Sequence, residues 1–190
     1  MLKRIGCIAI IIAGVLFMSS CTSFQDRISR LLMTSDERKS IRRLEQVLGA
    51  IEDKDIEALR SLFSQKGLEE TENFEENVDA LFELFQGKVL TKEKPSGPTV
   101  YEGQEAGYSN RWQQISSFYY VQTDQEKYFF LMEDYPIDER DPDNVGLYLL
   151  LVVKAENHDK IFDETEKILF DTVNNVTVEI PRSGVYIPFK

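Results

Sequence analysis

The hydrophobic spacing of this chain changes period once, near Gly87, and that change governs what it can fold into. Upstream, apolar residues recur every three to four positions, the period of a helix buried on one face. Ile41, Leu44, Leu48 and Ile51 mark a helix over 35–52. Ser35 is a suitable N-cap there, and Asp36 and Glu37 sit where the helix dipole favours acids. Asp53-Lys54-Asp55 breaks the pattern, and Asp55 caps a second helix with Ile56, Leu59, Leu62 and Phe63 inward, followed by Gly67. Val78, Leu81, Phe82 and Phe85 form the stripe of a third helix over 75–86, which Gly87 stops.

Downstream the residues alternate or run apolar, as strands do. Strands are expected over 88–94, 99–107, 115–123, 127–135 and 145–156, with the turn Pro95-Ser96-Gly97-Pro98 after the first. The tail from Asn157 is mixed, with a short strand over 176–180 and an extended end over 184–189. Helices first and strands after imply an α+β fold: helices packed on a curved, mostly antiparallel sheet of four to six strands. The segments 128–132 and 147–153 are apolar on both faces. One face covers the helices; the other needs the C-terminal tail, a second copy or an envelope protein partner against it.

The first 21 residues carry an address. Lys3 and Arg4 precede a 14-residue apolar run over 5–18, too short for a full membrane span, and Met18-Ser19-Ser20-Cys21 follows. This looks like a bacterial lipobox, with Met18 where Leu is usual. It implies a signal peptide over 1–20, lipid attachment at Cys21, a tether over 21–34 and a single domain over 35–190. The alternatives are an uncleaved anchor or an ordinary signal peptide. With Cys7 removed and Cys21 acylated, no thiol remains for disulfides, catalysis or metal. In the tether, Phe24, Ile28, Leu31 and Leu32 recur at helical spacing, as in an interfacial helix; a loose linker is the alternative. The net charge of −11 becomes −13 without Lys3 and Arg4. Nucleic acid is therefore a poor partner. Residues 22–45 hold six basic side chains against four acidic, and 46–190 hold 14 against 29. An anionic membrane surface attracts the first segment and repels the second. Simple solubility explains the same distribution.

Ala50-Ile51-Glu52-Asp53-Lys54-Asp55-Ile56-Glu57-Ala58-Leu59-Arg60-Ser61-Leu62-Phe63 resembles the opening of the nuclear-transport-factor-2-like (SnoaL-like, cystatin-like cone) superfamily. Beyond it, residues 35–190 resemble a family of Firmicutes lipoproteins of unknown function. The similarity lies in Asp36-Glu37-Arg38, Glu83-Leu84-Phe85-Gln86-Gly87, Asp134-Tyr135-Pro136, Pro142-Asp143-Asn144-Val145-Gly146-Leu147-Tyr148 and Gly184-Val185-Tyr186-Ile187-Pro188. It implies a cone-like α+β fold and no particular activity.

Chemistry-bearing candidates are few. Asp134 shares a strand face with Met132, Phe130 and Tyr128; buried at a cone mouth it would serve as a general base, and otherwise it caps the next loop. Trp112, Tyr119, Tyr128 and Tyr148 are candidate pocket aromatics with polar handles, and equally candidate core. The loop Asp138-Glu139-Arg140-Asp141-Pro142-Asp143-Asn144 is oxygen-rich but lacks calcium-loop spacing, so a structured hairpin loop is expected and no metal. His158, the single histidine, reads as a surface-loop residue. No catalytic constellation, cofactor motif or phosphate loop is present in the sequence. The expected function is a lipid-anchored extracytoplasmic module at the cell membrane that binds a ligand or a protein. The alternative is a cone-fold enzyme using a pocket carboxylate or tyrosine.

Overall fold

The computed structural model describes residues 33–104, 110–161, 170–173, 176–178 and 183–188. The signal segment, Cys21 and the tether up to residue 32 lie outside them, as do 105–107 of the expected second strand and 179–180 and 189 of the tail. The chain divides into two units, residues 1–38 and 39–190. Helix α1, Ser35–Glu52, begins in the first and runs on into the second. In the first unit, Thr34 N–H donates to Glu37 Oε2 at 2.8 Å and Glu37 N–H donates to Thr34 Oγ1 at 3.2 Å. This reciprocal capping box makes Thr34 the N-cap rather than Ser35.

In the second unit, α1 ends with Asp55 N–H on Ala50 O and Lys54 N–H on Ile51 O, Lys54 taking a left-handed φ of 51°. Asp55 then caps α2, Ile56–Arg60, accepting from Ala58 N–H at 2.8 Å. The expected second helix is split. At residues 62–64 the chain straightens, because Leu147 N–H donates to Leu62 O at 2.8 Å and Ser64 N–H donates to Leu147 O at 2.9 Å. Ser64 caps α3, Gln65–Glu69, so Gly67 lies inside a helix rather than after one. Helix α4, Phe74–Leu84, follows.

A curved sheet comes next, mixed and not closed, so the α+β expectation holds. Its strands are β1 (Val89–Glu93), β2 (Thr99–Gly103), β3 (Trp112–Thr123), β4 (Lys127–Asp138), β5 (Gly146–Lys154) and β8 (Gly184–Tyr186). The order is β1-β3-β4-β5-β8, with β2 also on β3; the pairs are antiparallel except β5–β8. β6 (Phe170–Val173) and β7 (Val176–Val178) form a separate pair. Gly146 opens β5 with a φ of 134°, and a Cβ there would meet Ser64 N at 2.7 Å, so the 62–64 crossing requires glycine.

The sheet's inner face carries the larger core. Tyr128, Phe130, Met132, Leu150 and Val152 pack with Leu44, Val47, Leu48, Ile51, Val78, Leu81, Phe82 and Phe85 from the helices. Its outer face buries Phe129, Leu131, Leu149, Leu151 and Val153. Ile161 from the 3-10 turn Ala155–Ile161 joins them, with Tyr186 of β8 packed alongside. His158 is part of this cover rather than of a surface loop: its ring lies 4.3 Å from that of Phe129. The C-terminal part of the chain thus shields the second face. Among the described residues no helix is long and apolar enough to cross a membrane.

A candidate binding cleft at the polar end of the core

Along the inner side of β4 the residues run Tyr128, Phe130, Met132 and then Asp134, which is 5% exposed. Two bulges flank Asp134. In the ladder to β5 the register shifts between Glu133 and Asp134, leaving Tyr148 as the extra residue. In the ladder to β3 the shift falls between Gln113 and Ile115, and β4 carries the extra residue around Pro136, which has no N–H to lose. The bulges carry β4 on to Asp138 instead of ending it at Tyr135.

Three residues of α1 face this end. Arg43 Nε and Nη2 each lie 2.9 Å from Asp134 Oδ1. The Ser40 and Tyr119 hydroxyls share a buried hydrogen bond. Lys39 Nζ donates to Gln113 Oε1 at 2.6 Å, and Gln113 Nε2 donates to Glu102 Oε2 at 3.0 Å. Burial pushes the Asp134 carboxyl up from its usual range, against the opposing charge and hydrogen bond of Arg43. Asp134 is therefore a paired carboxylate reaching into the helix layer, and not the cap of the next loop.

Beyond Lys39 opens a cleft of about 600 Å³, lined by Lys39, Glu102, Arg111, Trp112, Gln113 and Ile137 among others. Its aromatic wall is held from two sides. Trp112 pairs with Gly103 across the ladder, where a Cβ would meet indole Nε1 at 2.6 Å. The Arg140 guanidinium lies 4.4 Å from the indole centroid. Arg140 is set by Asp138, whose oxygens accept from Arg140 Nε and Nη2, each at 3.0 Å, and from Asn144 Nδ2 at 3.2 Å. The Arg140 hydrogen bond holds the Asp138 carboxyl below its ordinary range. These contacts build the structured loop expected after β4, with its 3-10 turn Pro142–Asn144. Among the described residues no group of three or more His, Cys, Asp or Glu is placed to hold a metal ion.

The sequence candidates do not form one pocket. Trp112 lines the cleft, and Tyr119 and Asp134 lie behind it in the polar layer. Tyr128 is at the other end of β4, fully buried; its hydroxyl accepts from Gln86 N–H at 2.8 Å and donates to Leu84 O at 2.9 Å, closing α4. Burial raises its pKa. Tyr148 donates to Glu70 Oε2 after α3, outside the cleft. Cys21 lies outside the described residues. Lys39, Arg111, Gln113, Glu102 and Ile137 were not singled out by sequence. The available signal was on α1: Ser40 and Arg43 extend the buried stripe of Leu44, Val47, Leu48 and Ile51 backward with polar residues.

Fold and cleft together define the class: an α+β domain whose packed core ends in a polar layer and an open cleft. The chain belongs to the DUF5104 family, a domain of unknown function, which matches residues 46–155. No curated protein matches the chain. The matched span includes Glu102, Arg111, Trp112, Gln113 and Ile137 and begins after Lys39, Ser40 and Arg43.

Proposed function

We propose that the protein is a bacterial extracytoplasmic lipoprotein, held to the cell membrane by lipid on Cys21, whose nuclear-transport-factor-2-like domain is a binding module. The observation that carries the binding reading is the cleft of about 600 Å³ beside a sealed core. Phe82, Phe85, Tyr128, Phe130 and Met132 fill the space between helices and sheet, so a ligand is received at the polar end and not within the core. An acid/base role is the weaker reading. Arg43 engages the Asp134 carboxylate, while Tyr119 and Tyr128 spend their hydroxyls on Ser40 and on the end of α4.

The anchor rests on the apolar run before Met18-Ser19-Ser20-Cys21. Replacing Cys21 with Ala is expected to abolish acylation by mass spectrometry and leave an unprocessed precursor; processing and membrane retention of that variant would sink the lipobox reading. For the cleft, Trp112 is the chain's single tryptophan, so its emission reports ligands directly. A small-molecule screen in which no hit perturbs Trp112 would count against a cleft ligand and favour a protein-docking module.

A further inference from the structure

We propose that an open groove on the short helices α2 and α3 docks a cationic peptide segment of a partner protein, one with a large apolar side chain flanked by lysine or arginine. The groove has a volume of about 470 Å³ and shares no lining residue with the cleft. Phe63 and Leu68 make its apolar floor, and Glu57, Arg60, Gln65 and Glu69 stand around it. The 62–64 crossing fixes the floor, since Leu147 is bonded to Leu62 O on one side of Phe63 and to Ser64 N–H on the other. The Phe74 ring stands edge-on to that of Phe63 at 5.2 Å. A preformed apolar floor receives a side chain without first having to order itself.

The rim sets the sign of the partner's charge. Among the described residues Arg60 is the one cation lining the groove, and it lies between Glu75 at 2.7 Å and Glu57 at 3.5 Å. One guanidinium, held 4.9 Å from the Phe74 centroid, therefore faces two carboxylates. Glu69 meets a neutral donor, Gln65 Nε2, at 2.8 Å. Lys66, the next cation along α3, is engaged by Asp141 at 2.8 Å. Glu57 and Glu69 are both exposed, so surplus negative charge borders the floor where an outside cation reaches it. An acidic rim around an apolar floor fits a hydrophobic anchor with cationic neighbours, the anchor supplying affinity and the charges steering. The same rim repels phosphate-bearing partners. A second copy of the chain is a poor fit, because residues 46–190 hold 14 basic side chains against 29 acidic.

The test titrates the full chain, in nonionic detergent, into fluorescently labelled peptide pools of equal length and reads anisotropy. One pool has a central leucine or phenylalanine flanked by lysine and arginine. A second replaces the central residue with serine, and a third replaces the flanks with glutamate. Saturable binding of the first pool alone supports the proposal when it weakens at least fivefold in Glu57→Gln/Glu69→Gln, in Gln65→Trp, which narrows the groove, and in raised salt. Equal binding of the serine pool overturns it, since charge without an anchor then suffices. Equal binding of the glutamate pool overturns the charge assignment and the proposal with it. Binding that both variants leave unchanged places the peptide elsewhere and overturns the groove. No saturable binding overturns it outright. The glutamine substitutions fall on exposed carboxylates, so that arm remains decisive if Gln65→Trp folds poorly. The cleft's own test at Trp112 is unaffected by any of these outcomes.

Discussion

The inner face of β4 has two ends that differ by a few residues and do different things. From Tyr128 to Met132 it meets Leu44, Val47, Leu48 and Ile51 of α1 and is sealed. From Asp134 to Asp138 it meets Arg43, or the loop after β4, through charged hydrogen bonds, and a cleft opens beside it. The same helix and the same strands serve both ends. The difference lies in one turn of α1, where Lys39, Ser40 and Arg43 replace aliphatic residues, and in the bulges that re-aim β4. A stable core at one end allows the other to carry buried polar groups, which are costly wherever they are not fully paired.

The largest effects should come from crossing this divide. Phe130 is fully buried and its ring lies 6.0 Å from that of Phe85. Phe130→Ala should cost about 3–5 kcal/mol in urea denaturation, as for other large core truncations. A cost below about 1.5 kcal/mol would mean the apolar end is not close-packed, since only tolerated swaps are that cheap.

At the polar end, Arg43→Ala strands the Asp134 carboxylate and should cost about 3 kcal/mol near neutral pH. Acid should shrink that loss, because protonating Asp134 removes the uncompensated charge. Arg43→Met/Asp134→Leu should recover to within about 1 kcal/mol of the parent, since buried ion pairs are often replaceable by apolar residues. A double variant as unstable as the single one would break the comparison, making the pair more than an isolated buried ion pair.

Much of the apolar end was legible in sequence, and little of the polar end. Leu44, Leu48, Ile51, Val78, Leu81 and Phe82 announce their helices because one face meets a greasy sheet. The alternation of β3 from Gln113 to Thr123 is readable for the same reason. The split between α2 and α3 is not, since Leu62 and Ser64 are straightened by Leu147, more than eighty residues away. Pro136 stops a strand in local reasoning and is admitted here by a bulge. The cleft depends on Lys39 meeting Gln113 across 74 positions. Arg43 reads locally as a solvated helix charge, and only the fold turns it inward onto Asp134, while Lys39 stays exposed and reaches Gln113 at the cleft edge.

Asp134 and Asp138 sharpen the contrast within the polar end. Both are buried on β4 and both meet an arginine, yet burial raises the first while hydrogen bonds from Arg140 lower the second. For Asp138, whose folded pKa is depressed, the stabilisation is present above the unfolded value near 3.8 and is lost as pH falls through the folded one. For Asp134, whose folded pKa is raised, the contribution is complete below 3.8 and is lost as pH rises through the folded value. Asp138→Asn should cost about 1–2 kcal/mol at neutral pH, for weakened charged hydrogen bonds. Plotted against pH, the stability difference from the parent should slope in opposite directions for Asp138→Asn and Asp134→Asn. Parallel slopes would erase the distinction. Tyr119→Phe, which leaves Ser40 without its partner hydroxyl, should cost about 1 kcal/mol with no such slope.

The smallest expected effect marks where the fold ends and the site begins. Arg111 is exposed, and Lys39 contributes a hydrogen bond to a neutral amide at the cleft edge. Arg111→Met should change stability by no more than about 0.5 kcal/mol, the range of substitutions away from structural features, and Lys39→Met, which takes one donor from the buried Gln113 amide, by about 1 kcal/mol. Methionine keeps an apolar stem against Trp112 and Ile137 while removing the charge, so the packing of the wall is retained. If the polar end is built for binding, these two variants separate it from the apolar end: stability changes little while the Trp112 emission response to a cleft ligand is lost. If instead either one destabilises as Arg43→Ala does, the cations belong to the fold, and the cleft is the edge of a structural polar layer with no ligand of its own.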